Sequence, residues 1–124
     1  MGIVERVLIR HLALTVRDPE AAADFYLSSI GLDGEVRREP WGCRVELSDG
    51  FMLGLIRGEP LPGAVAGTVH FGCRLPSREE ARAVRERLRE AGVREVEWED
   101  IDDYTGVKVA DPDGYIVELS FDLA

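Results

Sequence analysis

Cysteine and histidine are scarce, with two of each among 124 residues, and aromatic side chains make up only 7%. Cys43 and Cys73 lie far apart and outside any CxxC pattern. That excludes a zinc–cysteine cluster and a disulfide framework, and it makes a reduced, cytoplasmic setting the expectation. Positive charge is short too: 15 Lys and Arg stand against 24 Asp and Glu, a formal charge of −9. Such a chain is poorly suited to gripping the phosphates of nucleic acid or an anionic membrane, whereas a cation remains open as a ligand. No apolar run approaches the roughly 18 residues that span a bilayer. The opening MGIVERVLIRHLALTV alternates and carries Glu5, Arg6 and Arg10, a pattern from which no secretion signal is expected. Phosphate-binding loops and nucleophile elbows are also missing. What remains is a small acidic domain, with one core or two very small halves that share one.

The chain does contain a repeat. Residues 7–16 read as a strand, and Asp18-Pro19-Glu20 supplies an N-cap, a proline at the first helical position and an acid in the first turn. Residues 21–30 are helix-compatible, and Gly31 stands where a left-handed C-cap belongs. Strands follow at 34–38, 43–48 and, after the Asp49-Gly50 turn, 51–57. The order βαβββ then recurs. A strand at 69–75 precedes Ser77 and Glu80, a capping-box pair. A helix at 79–91 carries Ala81, Val84, Leu88 and Ala91 on one stripe. Gly92 closes that helix, strands follow at 93–98 and 106–110, and the Asp111-Pro112-Asp113-Gly114 turn leads to a last strand at 115–121. The two histidines are offset by 59 residues, Gly31 and Gly92 by 61, and the turn glycines Gly50 and Gly114 by 64. The expectation is an α+β fold over residues 1–124: a first module at about 5–57, a linker at 58–67 and a second module at about 68–122. Modules this small cannot each bury a sheet face alone, so they should pair with each other or swap with a second copy.

Candidate chemistry falls at matched places in the repeat. His11 lies in the first strand of one copy, on a face with Ile9, Ala13 and Thr15. His70 lies near the start of the first strand of the other, with Thr68, Gly72 and Arg74. Glu118 sits inside YIVELSF, where a carboxylate is costly unless paired or metal-bound. The 64-residue offset matches Glu118 to Gly54. Three of four equivalent positions, His11, His70 and Glu118, thus carry ligating side chains, and Gly54 carries none. Two imidazoles and one carboxylate suit a divalent first-row ion such as Fe, Mn, Zn or Ni, and they leave coordination positions open for substrate. Ala13, Gly54, Gly72 and Ser120 would leave room for that substrate. Any one of these residues alone has a structural explanation; their agreement across the repeat is what points to a metal.

The stretches HLALTVRDPEAAADFYLSSIGL, VHFGCRL and VADPDGYIVELS together resemble the vicinal oxygen chelate superfamily, which includes glyoxalases, extradiol dioxygenases and bleomycin-resistance proteins. The likeness spans about residues 7–121. It implies paired βαβββ modules forming a cupped mixed sheet, usually completed in a homodimer, and a divalent ion held by residues matching His11, His70 and Glu118. Some features depart from individual members. Glyoxalase I places a fourth ligand where this chain has Gly54, extradiol dioxygenases add an acid/base histidine that this chain lacks, and the fosfomycin-resistance enzymes differ at Ala13 and Lys108.

Lys108 and Tyr104 are further catalytic candidates, as donors to a substrate oxygen. If Ala110 pairs with Tyr115, Val107 and Val109 share the Glu118 face and Lys108 is a surface residue. Trp41 and Phe51 read as core residues, Cys43 and Cys73 as core or cavity-wall residues, and the six acids within 95–103 as a solvated edge. Two functions follow. One is a metal-dependent enzyme that chelates a small oxygen-bearing substrate, with lyase, isomerase, transferase and dioxygenase chemistry all open. The other is an antibiotic-binding protein of the bleomycin-resistance type that sequesters a basic natural product in a dimer cleft.

Overall fold

The two copies of the repeat fold as two four-stranded mixed sheets, each with its own helix. The computed structural model describes residues 7–61 and 69–123. Thr68 and most of the expected linker lie outside the described residues. The first module runs β1 (His11–Val16), α1 (Pro19–Asp24) continuing as a π-helical segment (Phe25–Ile30), β2 (Gly34–Glu39), β3 (Gly42–Leu47) and β4 (Met52–Arg57). The second runs β5 (Phe71–Arg74), α2 (Arg78–Glu90), β6 (Glu95–Ile101), β7 (Tyr104–Ala110) and β8 (Ile116–Asp122). Strand orders are β1-β4-β3-β2 and β5-β8-β7-β6, with β1/β4 and β5/β8 parallel.

The local signals act as their chemistry requires. The Ala21 N–H donates to the Asp18 carboxylate at 3.2 Å and the Glu80 N–H to the Ser77 hydroxyl at 3.2 Å, so both helices start at side-chain caps. Gly31 and Gly92 close the helical stretches at φ +89° and +76°. The helix expected at 21–30 differs in form. After Asp24 its turns widen to π geometry, and Phe25, Tyr26 and Ile30 are all buried. The strand expected at 7–16 begins only at His11; Val7 and Ile9 are exposed, and the Arg10 side chain donates to the Asp49 carbonyl at 2.7 Å. Of the α2 stripe, Ala81, Val84 and Leu88 are buried, while Ala91 forms the exposed cap.

Alternation along the strands turns one face of each sheet into a common core. Val16, Val45, Leu53 and Leu55 from the first module meet Val107, Val109, Val117 and Leu119 from the second. Each such side chain, fully buried, contributes about 1.5–3 kcal/mol by leaving water. Polar ties join the modules as well. The Tyr26 hydroxyl donates to the Asp111 carboxylate at 2.5 Å and the Tyr115 hydroxyl to the Thr15 carbonyl at 2.7 Å. Arg87 reaches the Ile30 carbonyl at 3.1 Å. Cys43 is buried, whereas Trp41, expected in the core, is exposed on the β2–β3 turn. Among the described residues no helix is long and apolar enough to cross a membrane.

Candidate functional site

Residues that alternate with the core rows lie on the opposite face of each sheet, and the candidate residues stand there. On β1, His11 and Ala13 are exposed while Leu12 and Leu14 pack against the core. Ala13 pairs with Gly54, and in the second module Gly72 pairs with Glu118. The two modules therefore place Gly54 and Glu118 at equivalent points. At Gly54 there is space: a Cβ built there would lie 3.6 Å from the Met52 sulfur and 3.7 Å from the Ala13 Cβ, ordinary contact distances.

Glu118 is the centre of a group of side chains on this face. Its Oε1 lies 3.1 Å from His70 Nε2, and its Oε2 accepts a hydrogen bond from the Tyr104 hydroxyl at 2.9 Å. His70 precedes β5 by one residue instead of lying within the strand. The Tyr104 phenol is held well above its usual range, first by burial and then by the Glu118 carboxylate it donates to, so it stays a donor. Donor atoms sharing one ion at bond lengths of about 2.0–2.2 Å lie roughly 3 Å or slightly more apart. The His70–Glu118 separation fits that requirement.

Lys108 is placed differently from the expected register. Ala110 pairs with Ile116, so Lys108 stands directly opposite Glu118, and Val107 and Val109 face the core. The reason is the turn. The Asp111 N–H donates to the Tyr115 carbonyl at 2.8 Å, and Asp111 Oδ1 accepts from the N–H groups of Asp113 and Tyr115. That pairs Asp111 with Tyr115 and moves the strand register by one residue. The Lys108 side chain is 18% exposed and lies 3.0 Å from Glu97, so it is a half-buried ion-pair partner and not a surface lysine.

The remaining candidates do not converge on one point. His11 lines a cleft of about 530 Å³ between β1 and β5, together with Leu12, Leu53, Phe51, Phe71, Cys73 and Gly72. Burial in its wall pushes the Cys73 thiol up to about 11, so that cysteine is unreactive at neutral pH. Of the four small residues expected around a substrate, Gly72 lines this cleft, Ala13 and Gly54 lie on β1 and β4, and Ser120 sits on β8 opposite Gly106. Among the described residues, no three His, Cys, Asp or Glu side chains are near enough to hold one ion. His70 and Glu118 come together; His11 does not join them within one chain.

Sequence reasoning passed over Gly106. A Cβ there would overlap the Tyr104 phenol oxygen, lying 2.6 Å from the ring Cζ and 2.8 Å from the Ser120 Cβ. A glycine inside a strand marks close approach by another group, and that signal was present in YTGVKVA.

A family model described as Glyoxalase/Bleomycin resistance protein/Dioxygenase superfamily matches residues 8–119. Among solved structures, a possible glyoxalase from Bacillus cereus is 28% identical with a TM-score of 0.74, covering 92% of this chain and 98% of that one. A lactoylglutathione lyase from Agrobacterium tumefaciens is 22% identical, with a TM-score of 0.72 and coverage of 94% and 95%. TnmS3, an antibiotic-binding protein from Streptomyces sp. CB03234, is 22% identical, with a TM-score of 0.68 and coverage of 98% of each chain. No curated protein matches the chain.

Proposed function

The chain belongs to the Glyoxalase/Bleomycin resistance protein/Dioxygenase superfamily, and on that premise we propose that it is a metal-dependent enzyme acting on a small oxygen-bearing substrate. His70 and Glu118 of one copy, with His11 of a second copy, would hold the ion. The observation that carries this reading is the His70–Glu118 pair, 3.1 Å apart on the sheet face turned away from the core. One imidazole and one carboxylate are donors of the right chemistry for a divalent first-row ion, Fe, Mn, Zn or Ni. His11 is exposed on the equivalent face of the other module, where a second copy can offer it to the pair. When bound, such an ion stabilises negative charge that develops on a substrate oxygen.

The chain's own groups supply the rest. Lys108, opposite Glu118, adds a positive charge beside the site. Gly54 leaves the fourth equivalent position without a ligand, so a substrate has room there. The −9 charge supports a second reading, capture of a basic natural product without chemistry.

Metal content decides between the two. Protein loaded with Mn²⁺ or Ni²⁺ and desalted should retain close to one ion per site, and His11→Ala and Glu118→Gln should each lose it. Mixing those two variants as dissociated and reassociated dimers should restore part of the binding, because one intact composite site re-forms. A wild-type protein that retains no divalent ion refutes the enzyme reading.

A further inference from the structure

We infer that Tyr104 is a positioning residue for Glu118, and that Gly106 exists to let it reach. The inference rests on the metal reading above. A carboxylate has two oxygens, and the structure assigns them different partners: Oε1 lies toward His70 at 3.1 Å, and Oε2 accepts the Tyr104 hydroxyl at 2.9 Å. A side chain with both oxygens free can rotate, or engage an ion through either one or both. With the phenol on Oε2, Glu118 is fixed as a one-oxygen donor aimed to the His70 side. Hydrogen bonds of this kind orient a ligand before the ion arrives, and their loss typically weakens ion affinity.

The path of Tyr104 explains Gly106. Tyr104 pairs across the sheet with Asp122, while Glu118 lies two cross-strand rows further along, opposite Lys108. To span those rows, the Tyr104 ring lies along β7 over residue 106. Only a residue without a Cβ leaves that space, since a Cβ would overlap the phenol oxygen and crowd Ser120. The Gly106 backbone has no positive φ, so conformational freedom does not account for the glycine. Lys108, opposite Glu118, pairs with Glu97 at 3.0 Å, while the phenol donates to Glu118 Oε2.

The test uses the full chain and ion affinity, not turnover. Zn²⁺ dissociation constants are measured by chelator competition for wild type, Tyr104→Phe, Gly106→Ala and the double variant, with the visible absorption spectrum of each Co²⁺-loaded protein. Tyr104→Phe keeps the ring and should leave the metal-free thermal midpoint near wild type, while weakening Zn²⁺ by about 10–100-fold and altering the Co²⁺ bands. Gly106→Ala should weaken Zn²⁺ in the same range. The double variant should cost no more than the larger single change, because both act through one contact. Tyr104→Phe within twofold of wild type, with an unchanged Co²⁺ spectrum, overturns the inference. If His11→Ala weakens the ion while Tyr104→Phe does not, the inference alone falls. If wild type binds no ion, the metal reading falls and takes the inference with it.

Discussion

Removing one hydroxyl, in Tyr26→Phe, tests how the modules are held together. Tyr26 is fully buried, and Asp111, its acceptor at 2.5 Å, is 5% exposed. No solvent is at hand to replace the lost donor. Asp111 would keep the N–H groups of Asp113 at 2.8 Å and Tyr115 at 2.9 Å, so the carboxylate is weakened but not orphaned. A hydrogen bond to an ionised group contributes about 1.5–3 kcal/mol net. The short contact and two retained donors place the expected cost near 2 kcal/mol at pH 7. For a chain of this size that corresponds to a fall of roughly 6–10 °C in Tm. The cost should also depend on pH. Burial raises the Asp111 carboxyl above its usual value, against the opposing effect of the Tyr26 hydroxyl and the two backbone donors. Removing Tyr26's donor raises it further. The gap between wild type and variant is therefore full above the folded-state value and narrows as pH falls through it, because the neutral acid depends less on the phenol. Urea unfolding at pH 7 and near pH 4 measures both effects. A gap below about 0.5 kcal/mol at pH 7, or one that does not narrow in acid, refutes this account.

Two further outcomes check other parts of the fold. Gly42→Ala should destabilise strongly and lower soluble yield, since Gly42 has φ +151° and a Cβ there would collide with the Leu55 carbonyl oxygen; Gly54→Ala, where contacts are ordinary, should stay within about 1 kcal/mol in urea melts. Arg82 and Arg85 donate to Asp100 and Glu95, and these hydrogen bonds hold both carboxyls below their usual range. Their stabilisation is present above about pH 4 and is lost as pH falls through the lowered folded-state values, so Asp100→Asn with Glu95→Gln should flatten the acid arm of a Tm-against-pH curve. An acid arm unchanged by the pair of substitutions would show that these contacts contribute nothing.

The βαβββ repeat was legible because each boundary carries its own chemistry: Asp18 and Ser77 as caps, Gly31 and Gly92 as left-handed ends, Asp49-Gly50 as a turn. The equivalence of Gly54 and Glu118 followed from counting residues, and pairing opposite Ala13 and Gly72 reproduces it. The face of Lys108 was not legible. It depends on whether the turn pairs Tyr115 with Ala110 or with Asp111, and one hydrogen bond, from the Asp111 N–H to the Tyr115 carbonyl, decides it. The widening of the first helix to π geometry after Asp24 left no mark in residue spacing, because Phe25, Tyr26 and Ile30 are apolar under either pitch. Tyr104 was singled out for its phenol, but its partner was not, since the reach from one end of β7 to Glu118 depends on a side chain that Gly106 lacks. His11 shows the limit from the other side: repeat symmetry matches it to His70, yet within one chain it lines the cleft and does not join the His70–Glu118 pair.

In both modules the first strand pairs in parallel with the last, residue 11 with residue 52 and residue 71 with residue 117. A chain emerging from the ribosome therefore holds HLALTV without its partner while α1, β2 and β3 are made, and closing so long a loop is slow relative to forming hairpins. During that interval the strand has no partner on either side, and afterwards it remains the edge of its sheet, the kind of segment that pairs with the wrong neighbour. Arg10 and Arg17 bracket it. In the finished fold they contact Asp49 and Asp113, and charges flanking an apolar strand in this way disfavour its pairing with the wrong neighbour.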